Sequence, residues 1–192
     1  VLRSVVILTL RPLLWLLLGL SIGGRDRLPT KGPAIVAANH NSHVDILLLL
    51  AAFKSRALPQ VVPVGAADYF LATRLLRFVS VTLLGVLPLD RAARRGDPLA
   101  GARAALEADR ILIVFPEGTR GRPEELGALK SGITKLARDA NAPIVPVYLQ
   151  GAGRILPKGA RIPVPFTCTM LVGRPIPPSA DRAKAMADLA AA

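Results

Sequence analysis

The sequence has 192 residues, of which 52% are apolar and 4% aromatic, and 25 basic against 13 acidic side chains give a net charge of +12. This length suits one compact domain, and the charge favours an anionic partner such as nucleic acid, a membrane face or a phosphorylated substrate. The shortage of aromatic side chains argues against a base-stacking surface for nucleic acid, although a generic solvated basic surface stays an alternative.

An apolar segment covers residues 4–22 and is interrupted by Arg11 and Pro12. The part after the interruption is too short to cross a bilayer, which takes about 20 apolar residues. We therefore expect residues 1–24 to form a membrane-associating helix, interfacial or re-entrant, with Arg3 and Arg11 reaching lipid headgroups and Trp15 in the interface. A core helix packed on the domain is the alternative. The rest of the chain, 25–192, is predicted to be one domain.

Strands and helices alternate along the chain from Pro33 onward, which is typical of an α/β fold. The short apolar runs predict strands, and the longer segments without breakers predict helices. The expected architecture is a mixed, mainly parallel sheet flanked by helices. The predicted strands are 33–39, 60–67, 83–89, 111–115, 142–150 and 166–173, and the predicted helices are 43–53, 68–80, 97–108, 131–141 and 179–192.

A first polar cluster, NHNSHVD at residues 39–45, lies where a predicted strand ends and a helix begins. Ser42 is predicted as the helix N-cap, which places Asp45 in the first turn and lets its carboxylate turn back toward His40. Such a pair suits general-base chemistry, because imidazole titrates near neutral pH and a carboxylate fixes its tautomer. A capping aspartate with a backbone-bonded histidine is the alternative. His43 is the other candidate base, expected as a wall or helix-start residue.

A second cluster, FPEGTR at residues 115–120, follows the most apolar predicted strand. Gly118 lets the backbone approach a ligand closely, and Arg120 presents a planar fork suited to a phosphate. Glu117 is predicted to accept a substrate hydroxyl or to orient the arginine. A charged turn with a local ion pair is the alternative interpretation.

A further arginine follows a predicted strand in the same way, and a lysine lies beyond the FPEGTR cluster. The segment GVLPLDR, residues 85–91, ends in Arg91, so that two guanidinium groups can converge on one anion. Lys130, within LKSG, adds another donor. Cys168 lies in the apolar stretch FTCTMLV and is predicted to be a small buried side chain, so no disulfide is expected, and the zinc-ligand spacings are missing from the sequence.

Together these clusters make the sequence resemble the glycerophospholipid (PlsC-like) acyltransferases, which include 1-acylglycerol-3-phosphate acyltransferases. The family has four ordered blocks, and this chain matches them with NHNSHVD, with Gly85 to Arg91, with FPEGTR and with Pro146 in PIVPVYL. The second block has Pro88 or Leu87 where the family usually has an aromatic residue, and Leu129 stands where a phenylalanine often precedes the lysine. The resemblance covers about residues 30 to 175.

The resemblance implies a glycerol-3-phosphate acyltransferase-like fold and a role for each matched residue. His40 would be the general base, with Asp45 orienting it, and the hydroxyl of a lysophospholipid would attack the thioester directly. Acyl-CoA or acyl-carrier protein would be the co-substrate, with no resident cofactor or metal. The implied location is the cytoplasmic face of a membrane, most specifically a bacterial inner membrane, with an anionic lipid surface as partner and no nucleic acid. The expected substrate-binding residues are Arg91, Glu117, Gly118, Thr119, Arg120 and Lys130.

Other functions stay open at this point. Other lysophospholipids and a lyso-ornithine lipid are alternative acceptors. The pattern Gly-Leu-Ser-Ile-Gly at residues 19–23 resembles the nucleophile turn of thioesterases and lipases, with Ser21 as nucleophile. That turn needs a strand before it and a helix after it, so we interpret the match as accidental. A non-catalytic lipid-binding module is the third hypothesis.

Overall fold

A computed structural model describes residues 2–89, 97–119, 121, 127–156 and 164–192. Its sheet has seven strands in the order β1-β7-β6-β2-β5-β3-β4. Neighbouring strands are parallel except for β6 and β7, which are antiparallel. The predicted mixed, mainly parallel sheet is therefore confirmed. The strands are β1 (Ser21–Gly23), β2 (Ala34–Ala38), β3 (Val61–Ala66), β4 (Leu87–Leu89), β5 (Ile111–Val114), β6 (Ile144–Gln150) and β7 (Thr169–Val172).

Helices cover both faces of this sheet. One apolar cluster joins the sheet to α1 and α2, and a second joins it to α5, α6 and α8. The helices are α1 (Leu2–Leu18), α2 (Asp45–Ala52), α3 (Ala67–Phe70), α4 (Arg74–Arg77), α5 (Ala100–Glu107), α6 (Gly132–Asp139), α7 (Ala152–Ile155) and α8 (Arg182–Ala191). A π-helical turn, Phe78–Leu83, and two 3-10 turns, Arg25–Arg27 and Leu58–Gln60, complete the described elements.

Strand β2 lies near the middle of the sheet, and every one of its residues is buried. Val36 points into the cluster with α1 and α2, while Ile35 and Ala37 point into the cluster with α5, α6 and α8. This alternation follows from the two-residue period of a strand, and a strand covered on both faces is apolar throughout. The central position fixes where the polar residues after Ala38 emerge.

Helix α1 packs against α2 and buries Ile7 and Leu18. Both arginines of this helix donate to backbone carbonyls of the domain. Arg3 donates to the oxygens of residues 58 and 61, and Arg11 donates to the oxygen of Phe53 at 2.6 Å. Within the described residues, the helices all fall short of the length and apolar character that crossing a bilayer requires. Strand β1, which precedes residue 24, pairs with β7.

The single amphipathic helix predicted over 68–80 is wrong. The segment is divided into α3, α4 and the π-helical turn, with an interruption at 71–73. Thr73 adopts an extended conformation, and its hydroxyl accepts a hydrogen bond from the backbone N–H of Leu76 at 3.1 Å. A threonine that caps a new helix in this way competes with continuation of the preceding one. The predicted strand over 83–89 is accordingly shortened to β4, because its first residue belongs to the π-helical turn.

The other predicted elements are present with shorter bounds. Within β3, Pro63 pairs with Ile113 of β5 and precedes the pairing of Val64 with Leu87 in β4. The C-terminal helix is also present, with Asp181 accepting a hydrogen bond from the N–H of Lys184 at 3.0 Å.

Candidate active site

His40 and Asp45 are in direct contact at the end of β2. The Nδ1 atom of His40 lies 2.8 Å from Oδ2 of Asp45. The carboxylate is fully buried, whereas 19% of the histidine side chain is exposed. In the tautomer that carries the proton on Nδ1, the imidazole donates to this carboxylate, because an ionised carboxylate only accepts hydrogen bonds. The return of Asp45 toward His40 that the sequence predicted is thus present in the structure.

The same carboxylate oxygen also holds the backbone of the turn. Oδ2 of Asp45 accepts the N–H groups of Asn41 and Ser42, each at 2.8 Å. Ser42 is therefore not the N-cap that was predicted. Helix α2 begins at Asp45, and the Ser42 hydroxyl donates to the carbonyl of Leu156 at 3.1 Å. The N-cap position is Val44, whose side chain makes no capping hydrogen bond, while the Asp45 carboxylate accepts N–H groups of residues that precede the helix.

Phe115 forms one wall beside His40. The two rings are stacked, with centroids 4.1 Å apart and an angle of 21° between their planes. They meet because β2 and β5 are parallel neighbours, so that the residues following each strand emerge side by side. Stacking limits rotation of the imidazole about its side-chain torsions and keeps Nδ1 directed at Asp45.

Glu117 joins the FPEGTR turn to the backbone of His40. Its carboxylate is buried, with Oε1 accepting the N–H of His40 at 2.9 Å and Oε2 accepting the N–H of Gly127 at 2.9 Å. The carbonyl of His40 in turn accepts the N–H of Gly121 at 2.8 Å. Both sides of the His40 peptide are thus fixed by residues more than 70 positions further along the chain.

Gly118 and Lys130 lie against each other. Gly118 has φ +75°, and a Cβ atom placed there would come within 2.7 Å of Lys130 Nζ. The turn itself is closed by a bond from the N–H of Gly118 to the carbonyl of Phe115 at 3.0 Å. A glycine is needed here both for the positive φ and for the close approach of the lysine. The structure therefore brings the ammonium group to the FPEGTR turn, as the sequence suggested.

The remaining predicted site residues are placed differently. Thr119 is exposed at the end of the FPEGTR turn. Arg91 and Arg120 lie outside the described residues. His43 is exposed in the turn before α2, where its ring stacks on Tyr69 with centroids 5.6 Å apart. His43 therefore contacts α3, whereas His40 contacts the buried carboxylate of Asp45.

Cys168 and Ser21 are both unsuited to act as catalytic nucleophiles. Cys168 is buried, its thiol lies 3.2 Å from the carbonyl of Gln150, and burial together with the charge of Asp45 raises its pKa to about 12. A thiol with such a pKa stays protonated and unreactive near neutral pH. Ser21 starts β1 and follows α1, which is the reverse of the strand-then-helix order that a nucleophile turn requires.

Sequence reasoning assigned no role to Phe115 or to Asn39, although both shape the site. The buried Asn39 amide donates to the carbonyl of Leu149 at 2.9 Å and accepts its N–H at 2.6 Å. The Asn39 side chain thus makes the same pair of hydrogen bonds as a backbone peptide group and extends the pairing of β2 with β6. The only signal for these roles was position, because each residue follows the last apolar residue of a central strand.

Comparison with known proteins agrees with this architecture. Residues 19–150 match the model of the family described as Acyltransferase. The chain is 31% identical over 144 residues to the chloroplastic 1-acyl-sn-glycerol-3-phosphate acyltransferase LPAT1 of Arabidopsis thaliana, covering 73% of this chain and 38% of that protein. It is 28% identical over 164 residues to the human 1-acyl-sn-glycerol-3-phosphate acyltransferase alpha, covering 81% and 54%. The chain thus spans about two fifths to one half of these relatives.

A solved structure shows the same fold. The crystal structure of the 1-acyl-sn-glycerophosphate acyltransferase PlsC from Thermotoga maritima superposes with a TM-score of 0.71, covering 98% of this chain and 79% of that one at 21% identity. The sheet flanked by helices is therefore shared between the two proteins. With the family match over residues 19–150, which is more than half of the sequence, this chain belongs to the acyltransferase family that includes the 1-acyl-sn-glycerol-3-phosphate acyltransferases.

Proposed function

We propose that this protein transfers a fatty acyl group from acyl-CoA or acyl-carrier protein to the free hydroxyl of a lysophospholipid. The contact of 2.8 Å between His40 Nδ1 and the buried Asp45 carboxylate, beside the FPEGTR turn, carries this proposal. The names of the relatives favour 1-acylglycerol-3-phosphate as the acceptor and phosphatidic acid as the product. Other lysophospholipids and lyso-ornithine lipids are the alternative acceptors.

The proposed reaction uses His40 as general base. With Nδ1 directed at Asp45, Nε2 takes the proton of the acceptor hydroxyl while the oxygen attacks the thioester carbonyl carbon. A new C–O bond forms, and the carbonyl electrons move onto oxygen. When this tetrahedral intermediate collapses, the C–S bond breaks and the imidazolium returns its proton to the thiolate. Asp45 stabilises the imidazolium charge between the two steps.

The phosphate of the acceptor would be held by cations around the FPEGTR turn. The position of Lys130 against Gly118 supports this part of the proposal, because it puts an ammonium group at the turn that follows β5. Arg91 and Arg120 are proposed to add bidentate contacts to the same phosphate, with Thr119 as a hydroxyl donor. The carboxylate of Glu117 is already used by two backbone N–H groups, so we assign it to positioning His40.

We also propose that the protein works at the cytoplasmic face of an anionic membrane, most specifically a bacterial inner membrane. Helix α1 exposes large apolar side chains, among which Leu16 is 82% exposed and Leu2 is 55% exposed. Trp15 is 40% exposed on the same helix. An apolar outer face next to a strongly basic domain is the pattern expected of an interfacial helix.

The central experiment compares two histidine variants. Purified protein would receive lysophosphatidate and labelled acyl-CoA, and product would be followed by mass spectrometry. His40→Ala is expected to lower turnover by roughly 1,000-fold or more, since it removes the base and its link to Asp45. His43→Ala serves as the matched control and is expected to retain most of the activity. Equal turnover by His40→Ala and the parent protein would exclude the mechanism.

The acceptor and the donor require a separate panel. Lysophosphatidate, other lysophospholipids and lyso-ornithine lipid would each be offered with acyl-CoA and with acyl-carrier protein. We expect the highest kcat/KM with lysophosphatidate. Hydrolysis of the thioester without acyl transfer to any acceptor would instead favour a thioesterase, and binding without any turnover would favour a lipid-binding module.

A further inference from the structure

A basic cavity lies far from His40, at the opposite end of α2. It has a volume of about 390 Å³ and is lined by Arg11, Arg25, Asp26, Lys54 and Ser55. Helix α2 has eight residues and is therefore about 12 Å long, with Asp45 at its start and the cavity beside its last residues. The cavity and the candidate active site are thus separate.

The two arginines use only part of their hydrogen-bonding capacity within the protein. Arg11 donates from Nη2 to the carbonyl of Phe53 at 2.6 Å, and Arg25 donates from Nε to the carbonyl of Ala52 at 2.8 Å. These bonds cap the C-terminal end of α2, where cations are favourable. Each guanidinium carries several further N–H donors. Among the described residues, the buried Nε of Arg11 has no hydrogen-bond partner.

The charges around the cavity are unbalanced. Arg11, Arg25 and Lys54 contribute three positive charges against the single negative charge of Asp26, which leaves 3 − 1 = +2. Asp26 forms no ion pair within 4 Å with any residue of the described part of the chain. Burial, and then repulsion from Arg25, lowers the pKa of Arg11. A bound anion would offset this repulsion and accept the remaining donors.

The residues near the cavity indicate that the anion belongs to a molecule with apolar chains. The guanidinium of Arg25 lies over the ring of Trp15, 5.4 Å from its centroid. On the same helix, Leu16 is 82% exposed and Leu17 is 51% exposed. A group with a negative head and apolar chains can therefore place its head at the arginines and its chains along α1. Water occupies about 30 Å³ per molecule, so the cavity also has room for part of the hydration shell of a phosphate.

We propose that this cavity binds a phosphate group, with Arg11, Arg25 and Lys54 as its ligands and Ser55 as a hydroxyl donor. The phosphate is either that of a phospholipid headgroup or a free one. The apolar face of α1 beside the cavity favours the lipid.

The test uses a reporter that the protein already contains. Trp15 is the only tryptophan in the sequence, and it contacts Arg25, so anion binding should change its fluorescence. The parent protein, in phosphate-free buffer, would be titrated with inorganic phosphate and, separately, with dihexanoylphosphatidate below its micelle concentration. Isothermal titration calorimetry would measure the same two affinities without relying on the tryptophan. We expect saturable binding, tighter for the lipid.

Three variants locate the site. Lys54→Gln removes an exposed charge at the cavity without disturbing the caps of α2, and it is expected to weaken binding about five- to tenfold. Lys184→Gln makes the same charge change on α8 and should bind like the parent protein. His40→Ala should leave the change in Trp15 fluorescence unaltered, because Trp15 contacts Arg25 at the cavity and the cavity is distinct from the candidate active site.

The results distinguish a lipid headgroup from free phosphate, and they also test whether the site exists. Tighter binding of the lipid supports a headgroup site, and equal affinities support a site for free phosphate or phosphate esters. Absence of saturable binding in both measurements at millimolar ligand would overturn the proposal. It would equally fail if Lys54→Gln and Lys184→Gln had the same affinity, because binding would then reflect overall charge.

Discussion

The buried carboxylate of Glu117 connects the two ends of the candidate site through the backbone. It accepts the N–H of His40 and the N–H of Gly127, each at 2.9 Å. Hydrogen bonds to a charged group contribute about 1.5–3 kcal/mol each, and a buried charge needs such partners. The residue therefore determines where the peptide of His40 lies, and through it where the imidazole is presented to a substrate.

Glu117→Gln is expected to lower kcat by roughly 100-fold while the KM for the acceptor changes much less. The amide keeps one acceptor oxygen but turns an N–H toward a backbone N–H, which shifts the His40 peptide and misplaces the base. The free energy of unfolding should fall by about 1–3 kcal/mol. Steady-state kinetics and urea unfolding would measure the two effects.

The matched control is Glu107→Gln, which makes the same change at an exposed position of α5 and should leave kinetics and stability unaltered. A rise in KM with an unchanged kcat in Glu117→Gln would contradict the positioning role. It would support instead the contact with substrate that the sequence suggested for this glutamate.

The sequence predicted the pair of His40 and Asp45 but not the support around it. A carboxylate five residues beyond a histidine, at a helix start, can return to the ring, so local spacing was sufficient. The Glu117 carboxylate accepts hydrogen bonds from backbone N–H groups. Because every residue except proline has such a group, no residue pattern in the sequence reveals these partners. Phe115 was within a recognised motif, yet its stacking on His40 depends on which strands are neighbours in the sheet.

At the scale of elements, strands buried on both faces were the easiest to predict, because continuous apolar runs mark them. The segment 68–80 was the hardest, since its apolar spacing fits a helix while Thr73 starts a new one. As a result Leu75 is 73% exposed instead of packed. Helix α1 was also hard to predict in full. Its sequence indicates an apolar helix, but it does not show whether the arginines face the domain or the solvent.

Helix α1 is held to the domain by polar bonds as well as by apolar contacts. Arg3→Met is expected to loosen it, because the bonds to the carbonyls of Leu58 and Val61 would be lost at a cost of about 1–3 kcal/mol. Amide hydrogen exchange should then be faster throughout α1 than in the parent protein. The exposed Arg74 provides the control, as Arg74→Met removes the same charge without such bonds. Unchanged exchange in Arg3→Met would show that apolar packing alone holds the helix.

At the scale of the whole molecule, exposed apolar side chains gather on neighbouring elements. Helix α1 contacts the π-helical turn, and both elements carry large exposed apolar residues. Soluble monomers seldom expose such a surface unless it binds a partner, and the net charge of +12 suits an anionic lipid surface. The most exposed members are Leu2, Val5, Leu13, Leu16 and Leu17 on α1, with Leu75 and Phe78 beyond it.

Binding to anionic vesicles is expected to weaken as salt rises, because ions screen the basic surface. Leu16→Glu should lower the affinity at least tenfold, since burial of a leucine contributes about 1.5–3 kcal/mol. Co-sedimentation with vesicles of phosphatidylglycerol and phosphatidylcholine would measure both effects. Val164→Glu, at a position that is 58% exposed, is the control for added negative charge. Equal losses in the two variants would mean that α1 does not enter the lipid.

The backbone bonds around His40 also have a consequence for synthesis of the protein. The N–H and the carbonyl of that residue are held by Glu117 and Gly121, which the ribosome adds long after the histidine. A nascent chain that ends within α5 contains His40 and Asp45, but the residues that anchor the His40 backbone have not yet been translated. If the proposed mechanism holds, competence for acyl transfer should therefore arise only once β5 and the turn after it have emerged, and truncated translation products should be inert toward thioesters.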